Sequence, residues 1–238
     1  MKYFTLVNFL PFNLIFKIYK WLGKPFLHKA YSILTLIENN YFYKIYKIRG
    51  FDFDGNISNN ELVADSKYSL DNANSYLRSQ IIDLKAIIYD ALSTEIKFDT
   101  FLDVGCGKGL ACIFVAENFN FKKISGFDFS LPLIQIANKN LLISKNMNIH
   151  FSKDDATDFI IPEGNTLVFI FNSFNEIILQ EFIGNNLQHF ARNNSIIAYF
   201  YDLHWKILSN YGFECIYRPR HSRYSLWRLP NICIDKPL

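Results

Sequence analysis

The chain has 238 residues, of which 50% are hydrophobic and 20% charged, a balance that excludes a disordered polymer and supplies one large core or one core with an appendage. Its four cysteines, Cys106, Cys112, Cys215 and Cys233, form no C-x-x-C pair, which argues against a disulfide scaffold, a zinc ribbon or a redox dithiol and reads as a reduced, intracellular protein. The net charge of +3 is unevenly spread, with +7 in residues 1–50 and −4 in residues 51–238, so a basic arm precedes a mildly acidic body.

Residues 1–49 are rich in Phe, Tyr, Ile and Lys. The stretch Tyr3–Phe16 is interrupted by Asn8, Pro11 and Asn13 and stopped by Lys17, short of the ~18 apolar residues that a membrane span needs. It also lacks a small-x-small cleavage site, so a signal peptide is not expected. Leu14–Trp21, Tyr31–Ile37 and Tyr41–Ile48 read as helical pieces. Their basic and aromatic faces suit either a membrane interface or a cap packed on the body. Residues 50–73 are rich in Gly, Asn, Asp and Ser and read as an irregular connector. A helical pattern then runs from Asn74 to about Ser93, with Leu77, Ile81, Leu84, Ile87, Ile88 and Leu92 on one face.

From there short apolar runs alternate with helical patterns. Phe98–Val104, Lys123–Phe127, Met147–Phe151, Thr166–Phe171 and Ser195–Tyr201 read as strands. Leu110–Phe119, Leu131–Ser144, Glu176–Ala191 and Leu203–Tyr211 read as helices, and Cys215–Tyr217 with Tyr224–Leu229 as a closing strand pair. Alternation of this kind predicts βαβ units in a doubly wound, mostly parallel α/β sheet, with ligands at the carboxyl ends of the strands.

The segment Asp103-Val104-Gly105-Cys106-Gly107-Lys108-Gly109 follows a predicted strand and opens a predicted helix. Glycines there let the backbone approach a ligand, and the free N–H groups of the helix start face it. The dinucleotide fingerprint fails because Leu110 holds the position of its third glycine, and the phosphate-loop pattern fails as well. Asp103 would repel phosphate and suits a ligand carrying an ammonium group. Asp128 ends the second strand, 19 residues after Gly109, where a carboxylate can accept the ribose hydroxyl hydrogens. The run Lys153-Asp154-Asp155-Ala156-Thr157 follows the third strand, where an acid or amide can take an adenine amino hydrogen. Phe171-Asn172-Ser173-Phe174-Asn175-Glu176 ends the fourth.

This ordered set resembles motifs I to IV of the class I S-adenosylmethionine-dependent methyltransferases, over about residues 68–230. More narrowly it is similar to bacterial methyltransferases encoded with polysaccharide-assembly genes, distantly akin to lysine methyltransferases of the Dot1 type. The resemblance implies a Rossmann-like seven-stranded sheet with one antiparallel strand; together with the shifts in composition it leaves a helical extension (1–49), a connector or lid (50–73) and a methyltransferase domain (74–238). It implies S-adenosylmethionine as cofactor. Asp103, Gly105, Cys106, Gly107 and Gly109 would surround its methionine part, Asp128 would hold the ribose, and Phe129 would lie against the adenine. Asp155, with Ala156 beside it, would meet the adenine edge, with Asp154 the alternative by one position. Tyr68 would close the site from the N-terminal side. Asn172 would orient the acceptor, and Glu176 would act as base for a hydroxyl acceptor or cap the next helix. Ser173 stands where many relatives carry proline.

Several residues admit two readings. Cys106 is a nucleophile or a small filler under the ligand. Lys108 reaches a ligand carboxylate or sits in solvent. The basic loop Arg218–Tyr224 grips an anionic substrate or is a solvated turn. The five histidines show no metal-ligand spacing. Basic residues are not interleaved with aromatics on the acidic body, so neither a metal nor a nucleic acid is expected. The sequence thus predicts methyl transfer to a small-molecule or sugar acceptor, with a glycan precursor in view and peripheral membrane contact through residues 1–49. A lysine acceptor or a non-catalytic scaffold is the alternative.

Overall fold

The computed structural model describes residues 25–219 and 223–230, with side chains from Leu36 onward apart from Glu38. The helical piece read over Leu14–Trp21 and the last cysteine, Cys233, lie outside the described residues. The two later helical pieces are one helix, α1 (Pro25–Ile48). The connector contains a 3-10 turn (Asn59–Glu61) and a short helix, α2 (Lys67–Asn72). After α3 (Ile81–Leu92) the alternation begins: β1 (Thr100–Val104), α4 (Leu110–Asn118), β2 (Lys123–Asp128), α5 (Leu131–Ser144), β3 (Ile149–Lys153) and β4 (Thr166–Phe171). It continues through α6 (Glu176–Arg192), β5 (Ile196–Phe200), α7 (Trp205–Asn210), β6 (Glu214–Tyr217) and β7 (Tyr224–Arg228).

The strands form one seven-stranded sheet in the order β3-β2-β1-β4-β5-β7-β6. β7 inserts antiparallel between β5 and β6, and the other pairings from β3 to β5 are parallel. The order reverses between β1 and β4, and at such a switch point the two flanking loops part and leave a crevice. Residues alternate across the sheet. Phe101 and Phe169 face the layer of α3 and α4, while Leu102, Val104 and Val168 face α6.

The helix expected from Asn74 begins only at Ile81. Residues 73–76 are extended instead, because their amides have partners elsewhere. Asn74 N–H donates to Ser173 O, Tyr76 N–H donates to Ile57 O, and bridges join Ile57 to Tyr76 and Ala73 to Phe174. Leu77, counted in the helical pattern, is exposed.

The C-terminal half of α1 packs against the body. Tyr46 is only 3% exposed and clusters with Phe51 and Phe53 of the connector. Asn39 is buried and accepts the Ile82 N–H at the start of α3. No helix among the described residues is long and apolar enough to cross a membrane.

Candidate active site

The site is built where β1 and β2 end. The amides of Gly105 and Cys106 both donate to Phe127 O at 2.9 Å, which folds the glycine loop over the end of β2. Gly105, Gly107 and Gly109 all have positive φ, at 74°, 53° and 81°. At two of them a side chain is also excluded by contact. A Cβ on Gly105 would lie 2.6 Å from Ser173, and one on Gly107 would lie 2.3 Å from the Tyr76 ring. Gly109 is the N-cap of α4 and packs on Phe151.

Asp128 locks this loop. Its two oxygens accept the Gly107 and Ser130 amides, each at 2.9 Å. Burial pushes its carboxyl up to about 6 in spite of the two amides, which pull it down. Asp103 is buried behind it. Burial, and then repulsion from Asp128, push its carboxyl up to about 8. Among the described residues no basic side chain is paired with Asp103, so the site holds two buried carboxyls ready for a cation.

A cleft of about 500 Å³, measured out to its open mouth, lies over these residues. Gly105, Asp128, Phe129, Asp154, Ala156 and Asn172 line its sheet side, and Leu62 and Asn74–Leu77 line the cap side. A second, smaller space of about 270 Å³ adjoins it, with Asp103, Cys106 and Arg78 on its wall and with Gly105 and Tyr76 in common.

The structure brings most of the expected residues together and turns four aside. Asp155 does not line the cleft. Its Oδ1 accepts the Thr157 amide and hydroxyl at 3.0 and 2.9 Å, and its Oδ2 accepts the Ser69 hydroxyl, so the carboxylate closes its own turn and holds α2. Asp154 takes the place at the cleft. Tyr68 is 47% exposed and donates to Glu181 on α6 at 2.6 Å. It sits in the first turn of α2 with its ring toward α6, and the tyrosine that does reach the glycine loop is Tyr76. Lys108 is neither solvated nor at the cleft: its buried ammonium donates to Asp52 Oδ1 at 2.8 Å and Asp54 O at 2.6 Å, tying the connector to the glycine loop. Glu176 stands outside the cleft, exposed. The cap of α6 is Asn175, whose side chain accepts from the Ile177 and Ile178 amides.

Cys106 packs with Cys112 against Gly126, and burial pushes both thiols well up, which suits a filler rather than a nucleophile. Of the basic loop, residues 220–222 lie outside the described residues. Arg218 pairs with Asp202 and lies over Trp205 and Trp227, and Arg223 donates to the Tyr201 hydroxyl.

Sequence reasoning missed Tyr76, Arg78 and His204. Tyr76 carries a buried hydroxyl without a hydrogen-bond partner among the described residues. His204 Nδ1 stands 3.6 Å from Glu176 Oε2 at the carboxyl edge of the sheet. Asn172 holds a left-handed backbone, with φ of 49°, on leaving β4. A non-glycine residue held there costs about 1–3 kcal/mol and is characteristic of ligand sites.

These features fit S-adenosylmethionine: a cradle open only because glycines lack a Cβ, two buried carboxyls suited to its cationic groups, an aromatic residue beside Asp128, and an orphaned hydroxyl at the loop. Residues 101–193 match the family model described as a methyltransferase domain. No curated protein matches the chain. Among solved structures, a SAM-dependent methyltransferase from Aquifex aeolicus is 15% identical over 61% of this chain and 88% of its own, with a TM-score of 0.48. A ribosomal protein L11 methylase from Lactobacillus delbrueckii subsp. bulgaricus is 20% identical over 61% and 74%, with a TM-score of 0.44. StiE O-MT residues 961–1257 are 15% identical over 57% of this chain, with a TM-score of 0.46, and the chain spans about half (52%) of that segment. The family match runs from β1 to the end of α6, the part that supplies the glycine loop, Asp128, Asp154 and Asn172, and it is this part of the chain, residues 101–193, that is similar to a methyltransferase domain.

Proposed function

We propose that the chain methylates a hydroxyl of a small acceptor, a sugar of a surface-glycan precursor being the acceptor favoured by the family resemblance. The observation that carries this reading is the Glu176–His204 pair, 3.6 Å apart where β4 and β5 end. A hydroxyl must lose its proton as it is methylated, and an imidazole steadied by a carboxylate can take it. Because Asn175 caps α6, the Glu176 carboxylate is left for that role.

The bound cofactor supplies an electrophilic methyl group on a sulfonium. Asp128 holds the ribose and keeps the glycine loop folded through the Gly107 amide. Asp154 and Phe129 border the adenine end, and Gly105 lets the chain of the cofactor pass without a Cβ in the way. Asn172, at the same cleft, donates its side-chain amide hydrogen to the incoming hydroxyl oxygen and orients it, which leaves the hydroxyl proton for His204. His204 receives the proton, and Glu176 stabilises the imidazolium that forms.

Two further observations support a setting near anionic lipid. Residues 1–50 carry +7, and Leu36 and Ile37 of α1 are 63% and 59% exposed. Removing residues 1–24 would then lower sedimentation with anionic vesicles, and equal sedimentation would refute the lipid setting.

The test of the acceptor is mass spectrometry of envelope sugars incubated with the enzyme and S-adenosylmethionine. The reading expects the gain of one methyl, with His204→Asn lowering turnover by about 10²–10⁴ and leaving cofactor affinity unchanged. Methylation of protein lysines, with His204→Asn fully active, would replace it.

A further inference from the structure

We propose that Arg78, carried by the N-terminal cap outside the matched domain, receives the α-carboxylate of S-adenosylmethionine opposite Asp103, which receives the ammonium group. The inference rests on the cofactor reading above and extends it to a residue of the cap.

The two cavities adjoin. Gly105 and Tyr76 line both, and the Tyr76 ring lies on Gly107 between them. A ligand with its ribose at Asp128 that continues past Gly105 enters the smaller space, where Asp103 stands. The amino-acid end of the cofactor is a zwitterion. Asp103 meets its ammonium, but a carboxylate brought close to Asp103 and Asp128 is repelled unless a cation joins it. Arg78 is the one cation among the described residues that line the two spaces. Lys108, the sequence's own candidate for that carboxylate, is committed to Asp52 and Asp54.

Arg78 is also held in place in advance. Its Nη1 donates to Asp54 Oδ1 at 3.0 Å, and its guanidinium carbon lies 3.7 Å from the centre of the Tyr43 ring. A guanidinium has five N–H donors in a planar fork, so one bond to Asp54 leaves donors for a second carboxylate.

The experiment measures binding of two probes by calorimetry: S-adenosylhomocysteine, which carries the amino-acid end, and 5′-methylthioadenosine, which lacks it. The full chain should prefer the first, and Arg78→Met should abolish the preference. It should weaken S-adenosylhomocysteine by about tenfold or more, the scale of a charge-assisted bidentate contact, and leave methylthioadenosine within about twofold. Asp54→Asn, which breaks the same ion pair but keeps the guanidinium, should retain the preference. Equal weakening of both probes by Arg78→Met would show a merely structural pin and overturn the proposal, as would no change in either. If Arg78→Met does not fold, the unaltered protein decides. Decarboxylated S-adenosylhomocysteine should bind about tenfold more weakly than the parent, and equal affinity overturns the assignment. Should the unaltered protein bind neither adenosyl probe, the cofactor reading itself falls, an outcome distinct from loss of the preference alone.

Discussion

The two walls of the cleft are made in different ways. The sheet-side wall comes from strand ends and the loops directly after them, so Gly105, Asp128, Asp154 and Asn172 are placed by the register of β1, β2, β3 and β4. The cap-side wall comes from a non-helical strip, residues 73–78, held by bridges to Ile57 and Phe174 and by the Lys108 bonds to the connector. The first wall is local in sequence. The second exists only when distant segments meet, and it brings Tyr76 and Arg78 to the site. The strand ends thus supply half of a binding site, and the other half is set by whatever the sheet is capped with.

The sharpest way to break this comparison is to unpack the cap. Phe51→Ala removes a buried ring from the Tyr46–Phe53 cluster and should cost about 3–5 kcal/mol. If cap and sheet are one unit, denaturant unfolding stays a single transition at lower midpoint. A separate early transition would make the cap an appendage.

The sheet-side wall can be probed through its charge. The Asp103 carboxyl sits at about 8 in the fold, above its ordinary 3.8. Between those values the native state binds more protons than the unfolded chain, so stability falls as pH rises from about 4 to 8. Asp103→Asn should flatten that slope and raise stability above pH 7 by about 1–3 kcal/mol, the usual penalty of an unpaired buried polar group. The same Asp103→Asn change should weaken S-adenosylhomocysteine. Binding of that ligand, whose ammonium group meets Asp103, to the unaltered protein at pH 7 should release a proton, seen as a buffer-dependent heat in calorimetry. Heats that do not depend on the buffer would refute the shift.

The contact between the walls is the subject of two smaller tests. Gly107→Ala places a Cβ 2.3 Å from the Tyr76 ring at a φ of 53° and should lose about 1–2 kcal/mol from the left-handed backbone. Part of any further loss should vanish when Tyr76 is also changed to Ala, and strict additivity would deny the contact. Tyr76→Phe removes the orphaned hydroxyl while keeping the ring. It should stabilise the ligand-free protein by about 1 kcal/mol, read as a raised melting temperature, and a lowered one would mean the hydroxyl has a partner.

The difference between the walls also explains what the sequence could show. The strands, the glycine loop and Asp128 are legible because each follows from a short apolar run and the few residues after it. The choice between Asp154 and Asp155 is not, because one residue of slip in a turn exchanges which carboxylate faces the cleft and which accepts from Thr157. Tyr68 and Tyr76 are equally plausible from composition. Only the pairing of residue 76 with Ile57, a contact no periodicity encodes, puts the later tyrosine on the loop. The start of α3 was obscured for the same reason, since Leu77 fits the helical spacing while its neighbours' amides are bound elsewhere. His204 meets Glu176 only after β5 and α6 are laid side by side.

The central claim is that the strand ends around Asp128 hold an adenosyl cofactor. Calorimetric titration of the unaltered protein and of Asp128→Ala with S-adenosylhomocysteine tests it most directly. Saturable binding to the first, weakened by about tenfold or more in the second, is the expected result, because the carboxylate makes charge-assisted bonds. No binding of S-adenosylhomocysteine by the unaltered protein, together with saturable binding of NADH, would contradict it.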